Sequence, residues 1–115
     1  MRVIPDADVA ASLGLPDLLP VVADALRKGA AGAVERPPRP HFPVGDGAGT
    51  ALVMPAYVHG AAHYATKLAS VHEHNDPRPT VQAQVALTDA TTGTPVAFMG
   101  GRTLTNARTA CIGGL

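Results

Sequence analysis

Tryptophan is absent from this chain of 115 residues, and Phe and Tyr number two each. With so little aromatic area to bury, the interior must rest on Val, Leu and close backbone approach. Alanine alone supplies 21 of the hydrophobic residues. Charge is scarce as well. Charged residues make 16% of the chain, where about a quarter is usual, and the nine basic residues balance the nine acidic ones. A neutral chain lacks the basic field that draws proteins to nucleic acid or an anionic membrane, so neither is an expected partner. Sparse charge points instead to surface that meets another protein or domain. The single cysteine, Cys111, cannot form an internal disulfide, which excludes a stapled secreted scaffold. No window nears 18 uninterrupted apolar residues, and the N-terminus has no apolar run of signal-peptide length. The expected setting is reducing and cytoplasmic.

What is present reads as two helices followed by strands. Asp6 is placed to cap a short helix through Val9, Ala10 and Leu13, with Gly14 as the stop. Asp17 can cap a second helix with Pro20 in its first turn, and Leu18, Leu19, Val22, Ala25 and Leu26 follow as one apolar stripe. Arg27 and Lys28 suit its C-terminal end, and Gly29 closes it. From Arg36 to Val44 four prolines impose an extended edge segment. Gly45–Gly49 then turns the chain into further extended runs at Thr50–Met54 and Ala62–Val71. Thr80–Thr88 alternates, with Val81, Ala83, Val85 and Leu87 on one face and Gln82, Gln84 and Ala86 on the other. A turn at Ala90–Gly93 predicts a hairpin with Pro95–Met99. The expected fold is α+β, N-terminal helices packed on a mainly antiparallel sheet. Leu104, Ala107, Arg108, Cys111, Ile112 and Leu115 then fall at helical spacing up to the last residue. That unfinished stripe predicts a helix leading onward, with residues 1–102 as one unit and 103–115 as the start of a connection.

The motifs that invite chemistry divide sharply. His59, His63, His72 and His74 lack the convergent spacing of a metal site and read as loop histidines. The glycines at 45–49 join two extended segments, so they read as a hairpin turn and not as a phosphate cradle. Cys111 on an apolar stripe reads as a small buried hydrophobe. Lys67 is different: it stands in an otherwise apolar strand, where a cation is costly unless it has a purpose or a partner. Arg108 interrupts the final apolar stripe, and Arg39 sits in the proline-rich run. Three cations from separate parts of a neutral chain can jointly hold a carboxylate. The same residues can equally be snorkelling side chains with solvated heads.

Several stretches, taken in order, resemble the ornithine cyclodeaminase/mu-crystallin family. They are Pro38-Arg39, Val53-Met54-Pro55-Ala56-Tyr57, Tyr64-Ala65-Thr66-Lys67, Pro79-Thr80-Val81-Gln82, Asp89 to Pro95, and Thr105 to Ala110. The resemblance implies the substrate-binding and dimerisation portion of an NAD- or NADP-dependent enzyme acting on a small amino acid, keto acid or imine. It implies that Arg39, Lys67 and Arg108 hold the substrate carboxylate and that Thr80 lies at the nicotinamide. Arg39 and Thr80 are thereby expected around the same concavity as Lys67 and Arg108. Family members typically form homodimers and include ornithine cyclodeaminases, alanine dehydrogenases and ketimine reductases. They continue into a dinucleotide-binding domain carrying a Gly-rich loop and a catalytic aspartate. With neither motif in these 115 residues, this chain alone is expected to be inactive and to hold no cofactor tightly. Ornithine cyclodeaminases are also expected to carry an acidic group just ahead of the Met-Pro. Ala51, Leu52 and Val53 stand there instead, which points to a smaller substrate than ornithine. The alternative reading is a standalone, non-catalytic carboxylate-binding or assembly module.

Overall fold

The computed structural model describes residues 1–12 and 15–104. Its elements run β1 (Arg2–Ile4), α1 (Asp6–Ser12), α2 (Leu15–Ala30), β2 (Val34–Glu35), β3 (His41–Val44), β4 (Gly49–Val58), β5 (His63–Val71), β6 (Val81–Asp89) and β7 (Pro95–Gly100). The strands form one sheet in the order β1-β7-β6-β5-β4-β2, and β3 pairs with β4 on the same side as β2. All pairings are antiparallel except β1 with β7, which is parallel. The fold is thus the α+β, mainly antiparallel arrangement that the alternating segments predict.

Several local expectations change. Asp6 does not cap α1: the Pro5 carbonyl takes the Asp8 and Val9 N–H groups instead, and the Asp6 carboxylate is engaged elsewhere. The second helix starts at Leu15, so Asp17 is inside it and Pro20 is its sixth residue. There the ring removes one intrahelical bond instead of sitting harmlessly in the first turn. Strand β1 has no counterpart in the sequence reading. Three residues carry too little alternation to declare a strand, and its parallel mate lies more than 90 positions away, Arg2 opposite Ala97.

The prolines find positions where their missing N–H does no harm. Pro37, Pro38 and Pro40 fall between β2 and β3, or at the start of β3, on the edge of the sheet. Pro55 lies inside β4. The Val53 N–H points to the β3 side, donating to the Pro40 carbonyl, and strand N–H groups alternate sides. The nitrogen of Pro55 therefore faces the gap between β2 and β3, where no ladder bond is forfeited.

The two faces of the sheet differ. Ala69 and Ala97 are buried, 8% and 5% exposed, as is Val9 of α1, which lies against β7. Lys67 alternates onto the face of Ala69. The opposite face leaves Phe42 50% exposed and Leu68 37% exposed. Among the described residues no helix is long and apolar enough to cross a membrane.

Candidate functional site

The register of β3, β4 and β5 decides where the cations fall. Lys67 is opposite Met54 on β4 and Val85 on β6. His41 is opposite Leu52, and the Val53-to-Pro40 hydrogen bond of 3.0 Å carries that register one residue further. Arg39 is the next residue along, in the segment held on the side of β4 away from Lys67. Lys67 and the segment that carries Arg39 thus meet β4 from opposite sides. The rest of the row, Val85 and Met99, is apolar. Lys67 is half-buried and engaged in an interaction of its own, while Arg39 is exposed. The half-buried Lys67 ammonium presents charge at one end of a mostly apolar floor, which suits a small carboxylate with an apolar body.

Thr80 is not beside Lys67. Its carbonyl accepts the His72 N–H at 2.8 Å, and His72 is five residues beyond Lys67 on that strand. The separation along β5 is about 17 Å. Arg108 and Cys111 lie outside the described residues. One hollow, of about 550 Å³, is lined by Arg2, Val3, Ile4, Asp8 and Ala11, and another lies on the face opposite Lys67. That hollow, of about 420 Å³, is lined by Phe42, Val53, Leu68, His72, Gln82 and Gln84, among others. These residues alternate onto the exposed face. Among the described residues no group of three His, Cys, Asp or Glu could hold a metal. His59 instead pairs with Glu35 at 2.9 Å and meets the Tyr57 ring edge-on.

The glycines at 45–49 are, as expected, a hairpin turn. They form a 3₁₀ turn at Gly45–Gly47 between β3 and β4, with Asp46 in the left-handed region at φ 53°. The Asp89–Pro95 stretch is likewise structural. Asp89 Oδ1 accepts the N–H groups of Thr91 and Thr92 at 2.8 and 2.9 Å, and Gly93 supplies the positive φ the turn requires. These N–H donors, Thr92 first and then Thr91, hold the Asp89 carboxyl below its ordinary range.

The family model for ornithine cyclodeaminase/mu-crystallin proteins matches residues 2–115. The chain belongs to the ornithine cyclodeaminase/mu-crystallin family. It is 39% identical over 108 residues to Delta(1)-pyrroline-2-carboxylate reductase 1 of Burkholderia multivorans, covering 92% of this chain and 34% of that protein. To the ketimine reductase mu-crystallin of Rattus norvegicus it is 37% identical over 103 residues, covering 88% and 33%. Among solved structures, it is similar to the Thermococcus litoralis Delta(1)-pyrroline-2-carboxylate reductase in complex with NADH and L-proline. That match has a TM-score of 0.92 at 28% identity and covers 99% of this chain and 36% of the other. An archaeal alanine dehydrogenase dimer with bound NAD gives a TM-score of 0.90 at 26% identity, covering 99% and 35%. The chain spans about a third of the length of the relatives it matches.

Sequence reasoning found Arg39 and Lys67 as oddities of charge but gave Met54 no role of its own. The signal was available, since Met54 belongs to the Met-Pro stretch, but its placement opposite Lys67 depends on register.

Proposed function

We propose that this chain is the substrate-binding portion of an NAD(P)-dependent reductase acting on a small imine of an α-amino acid. The observation that carries this reading is Lys67, a half-buried cation opposite Met54 in a member of this family, with Arg39 next to the Pro40 that bonds β4 from its other side. The Arg39 fork accepts a planar carboxylate bidentately, and the Lys67 ammonium adds a point charge beside it. Met54 offers a flexible apolar surface for the ring or side chain of the substrate. Arg108 contributes a third cation in this reading. Residues 1–102 are then the binding and dimerisation unit, and 103–115 begin the link to a dinucleotide-binding region.

The described residues around Lys67 offer no evident contact to a nicotinamide, since Thr80 lies about 17 Å along the ladder and the glycines at 45–49 are committed to a hairpin and cradle no phosphate. The nicotinamide, when bound, supplies or takes the hydride at the substrate α-carbon. Lys67 and Arg39 fix the carboxylate so that this carbon is held in one orientation.

The reading also includes a homodimer built on the exposed face, where Phe42, Tyr64 and Leu68 leave apolar area open to solvent. Calorimetric titration of the chain with pyrrole-2-carboxylate tests the carboxylate site, with uncharged pyrrole-2-carboxamide as the control. The carboxylate is expected to bind and the carboxamide not. Lys67→Met should weaken binding by about tenfold or more, the usual worth of a charged hydrogen bond. Equal binding of both compounds, or an unchanged affinity in Lys67→Met, contradicts the proposal.

A further inference from the structure

We infer that Asp6 is a positioning residue: it caps, from 97 positions away, the helix that begins at residue 102, and so fixes the point from which the chain runs on towards Arg108. The second half of this inference rests on the proposed role of Arg108 in holding a carboxylate.

The chain needs such a cap because it cannot supply one locally. Residues 102–104 are helical, so Gly101 occupies the capping position, where Ser, Thr, Asp or Asn normally provides an oxygen for the first free N–H groups. Gly101 has no side chain, and none fits comfortably. Its N–H donates to the Ala83 carbonyl at 2.9 Å, and a Cβ there would lie 3.1 to 3.2 Å from the Ala83 backbone and side chain. The end of β7 is held too close to β6 for a capping residue.

Asp6 fills the vacant role. Its Oδ1 accepts the Thr103 N–H at 3.0 Å, and its Oδ2 accepts the Thr103 hydroxyl at 2.9 Å. Thr103 is the second residue of the helix, whose N–H an ordinary capping side chain would take. A carboxylate at a helix N-terminus is also favoured by the helix dipole. Gly100 allows the approach: a Cβ at that position would be 2.6 Å from Asp6 Cβ and 2.8 Å from its Cα. Thr103 N–H and hydroxyl donation, then nearby Arg102, hold the Asp6 carboxyl below its ordinary range. Two consecutive glycines and one remote carboxylate thus form a single device, which fixes where the chain leaves the sheet. Arg108 follows Thr103 by five residues in the periodic stripe of the sequence.

The test uses the 115-residue chain and its Asp6→Ala and Asp6→Asn variants. It reads amide hydrogen exchange at Thr103 and Leu104 and the affinity for pyrrole-2-carboxylate. Asparagine keeps a capping oxygen and is expected to rescue what alanine loses. In Asp6→Ala, exchange protection should fall about three- to tenfold and affinity should weaken at least threefold, with Asp6→Asn close to the parent in both. Protection unchanged in Asp6→Ala, or lost equally in both variants, overturns the cap. Lost protection with unchanged affinity overturns the positioning role and leaves a purely structural cap. Failure of the parent chain to bind pyrrole-2-carboxylate overturns the proposed function and the positioning role with it, while the exchange result still decides the cap. If Asp6→Ala does not fold, the Thr103 amide resonance of the parent decides the cap. It should move as pH falls through the lowered Asp6 pKa, and a resonance that stays fixed overturns the cap.

Discussion

Lys67 stands opposite Met54 in the β4–β5 register, while the segment that carries Arg39, 28 positions earlier in the sequence, is bonded to the other side of β4. Neither position announces the other. Arg39 comes from an edge segment stiffened by prolines, and Lys67 from the middle of a paired strand. The bond from Val53 N–H to the Pro40 carbonyl holds that segment against β4, on the side away from Lys67. The arrangement is a product of the sheet and not of any local motif.

Gly100 should tolerate no side chain. A Cβ at this position meets Asp6 backbone at 2.8 and 2.9 Å, so the cost falls on main-chain atoms that cannot rotate away. Gly100→Ala is expected to lower stability by about 1–3 kcal/mol, in the range for overpacking. Urea unfolding measures it, and an unchanged midpoint would show that β1 and α1 are free to shift.

Asp89 makes the β6–β7 hairpin sensitive to acid. Its folded pKa is depressed by the Thr92 and Thr91 N–H groups, so its stabilising contribution is present above the unfolded pKa. That contribution is lost as pH falls through the lower, folded value. Asp89→Ala should therefore melt below the parent protein at pH 7, with the gap narrowing at strongly acidic pH. A gap that is constant from pH 7 to pH 2 would remove the carboxylate from the account.

Much of the fold was legible before any coordinates. Strand β6 was readable because Val81, Ala83, Val85 and Leu87 alternate with glutamines, and the β6–β7 hairpin because its turn carries Asp, Thr and Gly at turn positions. What escaped was long-range. Strand β1 is too short to show a period, and its partner is near the other end of the chain. Asp6 looked like a local cap because that is the commonest use of such a residue, whereas its partner, Thr103, is 97 positions away. The candidate cations were visible as charges out of place. Their distances were not, so Thr80, expected near Lys67, turns out to be five residues further along the ladder.

The exposed face should govern self-association. Leu68 alternates away from the Lys67 side and is 37% exposed beside Phe42 at 50%. Leu68→Glu is expected to shift the chain toward monomer, since a charge buried at an apolar contact lacks a partner. Sedimentation velocity at micromolar concentration measures this. Identical sedimentation of parent and variant would move the interface elsewhere.

The central claim is that a small carboxylate binds over Met54 on the Lys67 face. Methyl NMR of the chain during titration with pyrrole-2-carboxylate tests it most directly, because methyl groups on the two faces report separately. The largest shifts are predicted at the Met54 methyl and at Val85, with Val53 and Leu68 nearly still. Shifts centred on Val53 and Leu68 would place the ligand in the concavity of the opposite face and contradict the account.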